Sequence, residues 1–187
     1  MPLRVIAGDA RGRRLRTPPG RAARPTLDRV REAVFSSLTP RLPGVRFCDL
    51  FAGSGANGVE ALSRGAAYAA FADDNAQAIA VIRANLDALG YAAQARLHRL
   101  TLPTGLTRLA AREEAPFGVI YADPPFAFAE YGMLLHTICG QGLLAPGGLV
   151  VVEHAARTQL PAGPPQLTCE KRAVYGETAV SFFLDRA

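Results

Sequence analysis

Tryptophan is absent from the 187-residue chain, lysine occurs once, methionine twice and cysteine three times. Cys48, Cys139 and Cys169 are odd in number and far apart. They form neither a disulfide framework nor a CxxC metal pair, and a reducing compartment, the cytoplasm, is expected. The three histidines, His98, His136 and His154, show no ligand spacing, so no metal is expected. No apolar run reaches the roughly 18 residues of a membrane span. The first residues carry Arg4 but no continuous apolar segment, which excludes a secretory signal as an expectation. No internal repeat is found. The Pro-rich stretch at 161–165 reads as a surface loop, because residues 166–187 are too few for a second domain.

Hydrophobic residues make up 49% and charged residues 20%, the balance of a globular chain of one-domain size. The net charge of +5 hides an asymmetry. Residues 1–46 hold 11 Arg against Asp9, Asp28 and Glu32, a net of +8, while residues 47–187 carry a net of −3. A basic arm on a near-neutral body points to a polyanionic partner. The nearly exclusive use of Arg suits phosphate forks and base stacking.

Residues 1–24 read as two short strands around a Gly-bearing turn, with the Pro18–Pro19–Gly20 turn after them. A helix is expected from Thr26, capped by Thr26 after Pro25, with Leu27, Val30, Val34 and Leu38 as its apolar face and Arg29 and Arg31 pointing elsewhere. Strands are expected at 45–51, 67–72, 93–97, 117–122 and 149–153. Helices are expected between them at 56–64, 75–89, 104–112 and 130–139. That alternation predicts an α/β fold with a mostly parallel sheet covered on both faces. Strands at 166–172 and 178–184 are joined by a turn at Tyr175–Gly176 and must be antiparallel.

Strand 45–51 runs into Asp49–Leu50–Phe51–Ala52–Gly53–Ser54–Gly55–Ala56–Asn57–Gly58. Gly53, Gly55 and Gly58 satisfy G-x-G-x-x-G, a loop that lets a ligand touch backbone and aims a helix N-terminus at it. Asp73, ending the next strand, can bind ribose hydroxyls with both oxygens. The loop alone supports a nicotinamide dinucleotide or S-adenosylmethionine. Asp49 favours the latter, since a carboxylate attracts an ammonium and a sulfonium and repels a pyrophosphate. After strand 117–122 stands Asp123–Pro124–Pro125–Phe126, a tetrapeptide expected by chance about once per hundred thousand positions. Its prolines fix a rigid turn. The Asp123 carboxylate and Pro124 carbonyl then remain as two acceptors for the two hydrogens of an exocyclic amino group, and Phe126 can stack on the base.

The glycine loop with Asp-Pro-Pro-Phe resembles the amino-methyltransferases of nucleic-acid bases, and most closely the RsmD family of 16S ribosomal RNA guanine-N2 methyltransferases. The likeness spans nearly the whole chain. It rests also on Arg4–Val5–Ile6–Ala7–Gly8, Arg11–Gly12–Arg13, Arg24–Pro25–Thr26, Arg29–Val30–Arg31–Glu32 with Phe35, and Asn85. Arg64–Gly65–Ala66, Glu170–Lys171 and Tyr175–Gly176–Glu177–Thr178 complete it. Three places depart from the family pattern, one of them Asn57, which stands where an apolar residue is usual. Asp73–Asp74–Asn75 replaces a Glu, a spacer and an Asp, and His98–Arg99–Leu100–Thr101 lacks the Gly-Asp pair near the adenine.

The resemblance implies a Rossmann-like class I methyltransferase of seven strands over residues 45–187, with residues 1–44 as a dependent basic extension. It implies S-adenosylmethionine bound by Asp49, Phe51, Ala52, Gly53, Ser54, Gly55, Asp73 and Asp74, and catalysis at Asp123, Pro124, Pro125 and Phe126. Arg11, Arg13, Arg14, Arg24, Arg29 and Arg31 would bind phosphates of ribosomal RNA or the small ribosomal subunit, and a monomer without membrane contact is expected. A different target base, a DNA substrate, a nicotinamide oxidoreductase and a non-catalytic RNA-binding relative are the alternative readings.

Overall fold

Short apolar runs alternating with amphipathic ones can bury both kinds of element only by layering helices on a sheet. The structure is a computed structural model that describes residues 2–19, 25–113 and 116–187; the side chains of residues 25–28 lie outside that description. Strands β1 (Arg46–Leu50), β2 (Tyr68–Asp73), β3 (Ala95–Arg99), β4 (Phe117–Ala122) and β5 (Leu144–Ala155) run parallel. Strands β6 (Leu167–Tyr175) and β7 (Thr178–Asp185) close the sheet as an antiparallel hairpin, with β7 against β5. The seven-stranded order is β3-β2-β1-β4-β5-β7-β6. The expected α/β architecture is thus met, and the order reverses between β1 and β4, the point where ligands bind in open α/β sheets.

Helices α1 (Pro25–Leu38), α2 (Ala56–Ser63) and α3 (Ala76–Leu89) pack with Phe47, Phe71, Tyr121 and Val151 on one face. Helices α4 (Leu106–Ala110) and α5 (Tyr131–Gly140) pack with Cys48, Leu50, Ile120 and Val150 on the other. Neighbours in sequence divide between the two faces because strand side chains alternate. Several bounds differ from expectation, with β6 running on to Tyr175 and α4 confined to Leu106–Ala110. A 3-10 turn over Ala92–Gln94 delays β3. Leu144 already pairs with Phe117 before a register shift, so β5 starts earlier than its apolar run. No helix among the described residues is long and apolar enough to cross a membrane.

The basic arm is tied down rather than trailing. Arg4 and Arg14 form one antiparallel bridge, with Val5 N–H donating to Arg13 O and Leu15 N–H to Leu3 O. Leu3, Val5 and Leu15 are buried in the α1–α3 layer. Buried Glu60 of α2 takes the Ile6 N–H at 2.8 Å, the Ala7 N–H at 3.0 Å and Arg64 Nε at 2.8 Å. Ser63 Oγ accepts from Ala10 N–H and donates to Ala7 O. Asn85 of α3 brackets Arg16 through both backbone groups and also donates to Ser54 O at 3.0 Å, so one side chain joins the arm to the glycine loop.

Replacing Glu60 by Ala leaves two peptide N–H groups and the Arg64 guanidinium without their carboxylate. The expected loss is about 3–5 kcal/mol, read from urea melts, with hydrogen exchange at Ile6 and Ala7 rising together. Unchanged protection there would show that apolar burial alone holds the arm.

Candidate active site

Asp49, the penultimate residue of β1, faces the α2 side, where a buried carboxyl needs a donor. Its Oδ2 accepts the Gly58 N–H at 2.8 Å, and its Oδ1, fully buried, has no hydrogen-bond partner among the described residues. Phe51 then turns the chain with φ of 59°, a left-handed conformation rare for a bulky residue and found where a site over-determines the backbone. Gly55, with φ of 76°, is the cap residue of α2. A Cβ on Gly58 would lie 2.2 Å from the Phe71 ring, so only glycine lets α2 approach β2. Asp73 holds the loop from the neighbouring strand: Oδ2 accepts the Gly53 N–H at 2.8 Å and Oδ1 the Asn75 N–H at 2.9 Å. Ala52 and Gly53 are buried and Ser54 is half-buried.

This modifies two expectations. Asp49 braces the loop from behind. Both Asp73 oxygens already serve backbone donors, so a ribose must use their second lone pairs, while the neighbouring Asp74 is exposed. Beside these residues lies a cavity of about 330 Å³ whose walls include Phe51, Asp73, Asp74, Leu100, Leu102, Pro125 and Phe128. Leu100, Leu102 and Phe128 are apolar walls that no sequence motif marks. His98, from the segment lacking an acid, is buried with Nε2 at 2.7 Å from Glu113 Oε1. Burial pushes Glu113 up, but hydrogen bonds from His98 and Tyr68 outweigh it and hold its carboxyl below the usual value.

The Asp123–Phe126 turn leaves β4 at the same edge. Asp123 N–H donates to Leu50 O, Pro124 is buried, Asp123 is exposed and Phe126 is 67% exposed. Glu153 of β5, 7% exposed, comes to this edge although no motif contains it. The Tyr121 hydroxyl donates to its Oε1. Burial, then the Asp123 charge, push Glu153 up to about 8, opposed by the Tyr121 hydrogen bond and Arg31. Burial likewise raises Asp49, helped by Asp123, Asp73 and Glu153 and opposed by the Gly58 hydrogen bond. The available signal for Glu153 is that an acid closes its apolar run, as acids close those of β1, β2 and β4.

Among the expected phosphate ligands, Arg11, Arg14 and Arg29 are exposed. Arg13 is exposed but donates to Ala88 O at 2.8 Å. Arg31 is corrected: it is 6% exposed and donates to Arg4 O at 2.7 Å, so it ties the arm to α1 inside the layer. Arg24 and the Thr26 cap lie outside the described residues.

The chain is similar to known proteins over nearly its whole length. The family model described as conserved hypothetical protein 95 matches residues 3–184. YlbH of Bacillus subtilis, named as a putative rRNA methyltransferase, is 36% identical over 184 residues, covering 98% of this chain and 100% of that protein. The ribosomal RNA small subunit methyltransferase D of Escherichia coli K12 is 34% identical over 182 residues, covering 97% of this chain and 89% of that protein. The solved structure of yhhF from Escherichia coli superposes with a TM-score of 0.85 at 32% identity, over 100% of this chain and 99% of that one.

A native carboxyl that keeps its proton up to about 8 is deprotonated earlier in the unfolded chain, whose ordinary value is 4.5. Between those limits the folded state binds more protons, so this contribution to stability falls as pH rises, on the order of 1 kcal/mol per pH unit. Urea melts from pH 5 to 8 should show this decline in the wild type and a flatter profile in Glu153→Gln. Parallel profiles would mean that Glu153 is already ionised in the folded protein.

Proposed function

This chain belongs to the RsmD family of ribosomal RNA methyltransferases, and from that premise we propose that it methylates the exocyclic N2 amino group of a guanine in 16S ribosomal RNA of the small subunit, using S-adenosylmethionine. The observation that carries the proposal is the Asp123–Pro124–Pro125–Phe126 turn at the C-terminal end of β4, at the reversal point of the sheet, with its phenyl ring exposed.

The residues fit the methyl donor. Asp49 offers a buried carboxyl oxygen with no hydrogen-bond partner among the described residues, and the neighbouring Asp123 and Asp73 charges push its carboxyl up further. An adjacent cation lowers a carboxyl raised by burial and like charges, so the site gains by holding an ammonium and a sulfonium. Gly53 and Gly55 would carry the donor on their backbone, Asp73 and Asp74 its ribose, and the cavity walled by Phe51, Leu100 and Leu102 its adenine. When bound, S-adenosylmethionine supplies a methyl carbon made electrophilic by its sulfonium.

The chain's own contribution is positioning. A guanine stacked on Phe126 places its amino group between the Asp123 carboxylate and the Pro124 carbonyl. Accepting both hydrogens localises the nitrogen lone pair, which otherwise delocalises into the ring, and in-line displacement depends largely on that alignment. The nitrogen becomes acidic once methylated, and Asp123 takes the proton or passes it to water. The base reaches the turn only when unstacked or single-stranded. Arg11, Arg13, Arg14 and Arg29 would bind phosphates.

Transfer of a labelled methyl group into extracted small-subunit RNA, with digestion to nucleosides, should give N2-methylguanosine. Asp123→Ala should reduce transfer by at least roughly 100-fold, the scale of a lost proton-transfer or orienting group, while RNA binding by filter retention is kept. Label in another nucleoside would reassign the base, and transfer surviving in the variant would overturn the mechanism.

A further inference from the structure

The loop after β5 folds back beside the β6–β7 hairpin and encloses, on the α5 face of the sheet, a cavity of about 900 Å³ that the proposed chemistry does not use. Its floor is His154, Ser181 and Phe183, and Arg157 and Arg172 are exposed on its wall. His154 Nε2 lies 2.9 Å from Ser181 Oγ, and both residues are 2% exposed, so the floor is rigid. The Arg172 guanidinium donates one N–H to Ala156 O, which pins the loop and leaves four donors. None of the residues lining the cavity is an Asp or Glu. Thr158, Gln159 and Thr168 add hydrogen-bonding groups.

The cavity adjoins the reacting edge. Ala122 pairs with Val152, so the turn beginning at Asp123 leaves the sheet beside Glu153 and His154. An aromatic row connects the two sites. Phe51, which walls the smaller cavity, meets Phe128 at 5.2 Å between ring centroids, Phe128 meets Tyr131 at 5.0 Å, and Tyr131 meets His154 at 6.3 Å.

We propose that this cavity holds a single-stranded RNA nucleotide flanking the methylated guanine, with its phosphate on Arg157 and Arg172 and its base against Phe183. The inference rests on the RNA substrate argued above and adds a second contact region to the basic arm. Two guanidiniums with no carboxylate among the lining residues select an anion. The arginines fix strand register while Phe183 accepts a base face without reading its edge. A volume within the usual ligand range of roughly 300–1,000 Å³ admits a nucleotide. Unstacking the target is eased when its neighbour is held, because both steps are then made by one strand.

Cys169 gives a direct probe, since it lines the cavity and is exposed, whereas Cys48 is buried. A mixed-sequence RNA of about 12 nucleotides, close to the size of a single-strand site, should slow maleimide labelling of Cys169 several-fold in the wild-type protein. Arg157→Glu should remove that protection and weaken oligonucleotide binding about 10-fold. The salt slope of binding should fall by about 0.7 for each phosphate that the variant no longer neutralises. Affinity for S-adenosylhomocysteine and the melting temperature should not move. Arg172→Glu should weaken binding and remove protection in the same way, with Arg172→Lys partly restoring both, and it should also lower the melting temperature because the bond to Ala156 O is lost. Equal labelling of Cys169 with and without bound RNA overturns the assignment. Protection by assembled small subunits but not by their extracted RNA overturns it in favour of a protein surface. Cys169 protection is read without methyl transfer, so a wild-type protein that protects Cys169 but methylates no RNA would sink the proposed reaction and leave this site standing.

Discussion

Three buried carboxyls, Asp49, Asp73 and Glu153, stand at the C-terminal ends of β1, β2 and β5 on one face of the sheet, and their need for donors shapes what surrounds them. Burying a carboxyl oxygen without a partner is costly whether or not it is ionised. Asp49 therefore takes the N–H of Gly58, Asp73 takes those of Gly53 and Asn75, and Glu153 takes the Tyr121 hydroxyl. The glycine loop is thus held from behind by β1 and from the side by β2. Its left-handed residues, Phe51 among them, persist because these bonds and the fit of Gly58 on Phe71 leave no other path.

The same demand for partners explains the split in charge. The arm carries the excess of arginine, yet part of it works inside the protein: Arg31 holds Arg4 O, Arg4 holds Gly12 O and Arg13 holds Ala88 O. The remaining exposed guanidiniums, Arg11, Arg14, Arg16 and Arg29, are those free of such backbone bonds among the described residues. The arm is joined to α2 by Glu60 and to the cofactor-type loop by Asn85, whose one amide reaches Arg16 and Ser54. A basic surface for phosphates and a loop for a small ligand are therefore parts of one hydrogen-bonded layer.

Local pattern makes much of this legible. The strand and helix sequence, the tight hairpin at the end, the glycine loop and the Asp-Pro-Pro-Phe turn are all signals carried within a few residues. Arg31 departs from expectation although its signal is local too. It lies three residues before Val34 and four before Phe35, on the buried stripe of α1, where spacing outweighs charge. Glu153 is hidden because it sits at the end of an apolar run, while the period of two puts it on the same face as Val151. The link between His98 and Glu113 is not legible, since 15 residues and α4 separate them in sequence. The large cavity is built by β5, β6, β7 and the loop after β5, which meet only when β7 inserts beside β5.

The strand-end carboxylates also bear on which ligand the edge suits. Asp49 and Glu153 are both raised by burial, and each is raised further by Asp123. Arg31 and the loop N–H groups oppose this only in part, and Asp49 Oδ1 keeps no donor among the described residues. A pyrophosphate would add two negative charges to an edge already short of positive ones, and G-x-G-x-x-G alone could not offset that. An ammonium and a sulfonium would lower both carboxyls toward their ordinary values, so binding energy comes from relief of a repulsion already present in the fold. The glycine spacing is common to both ligand classes. The charge of the residues behind it separates them, and it favours the cationic donor.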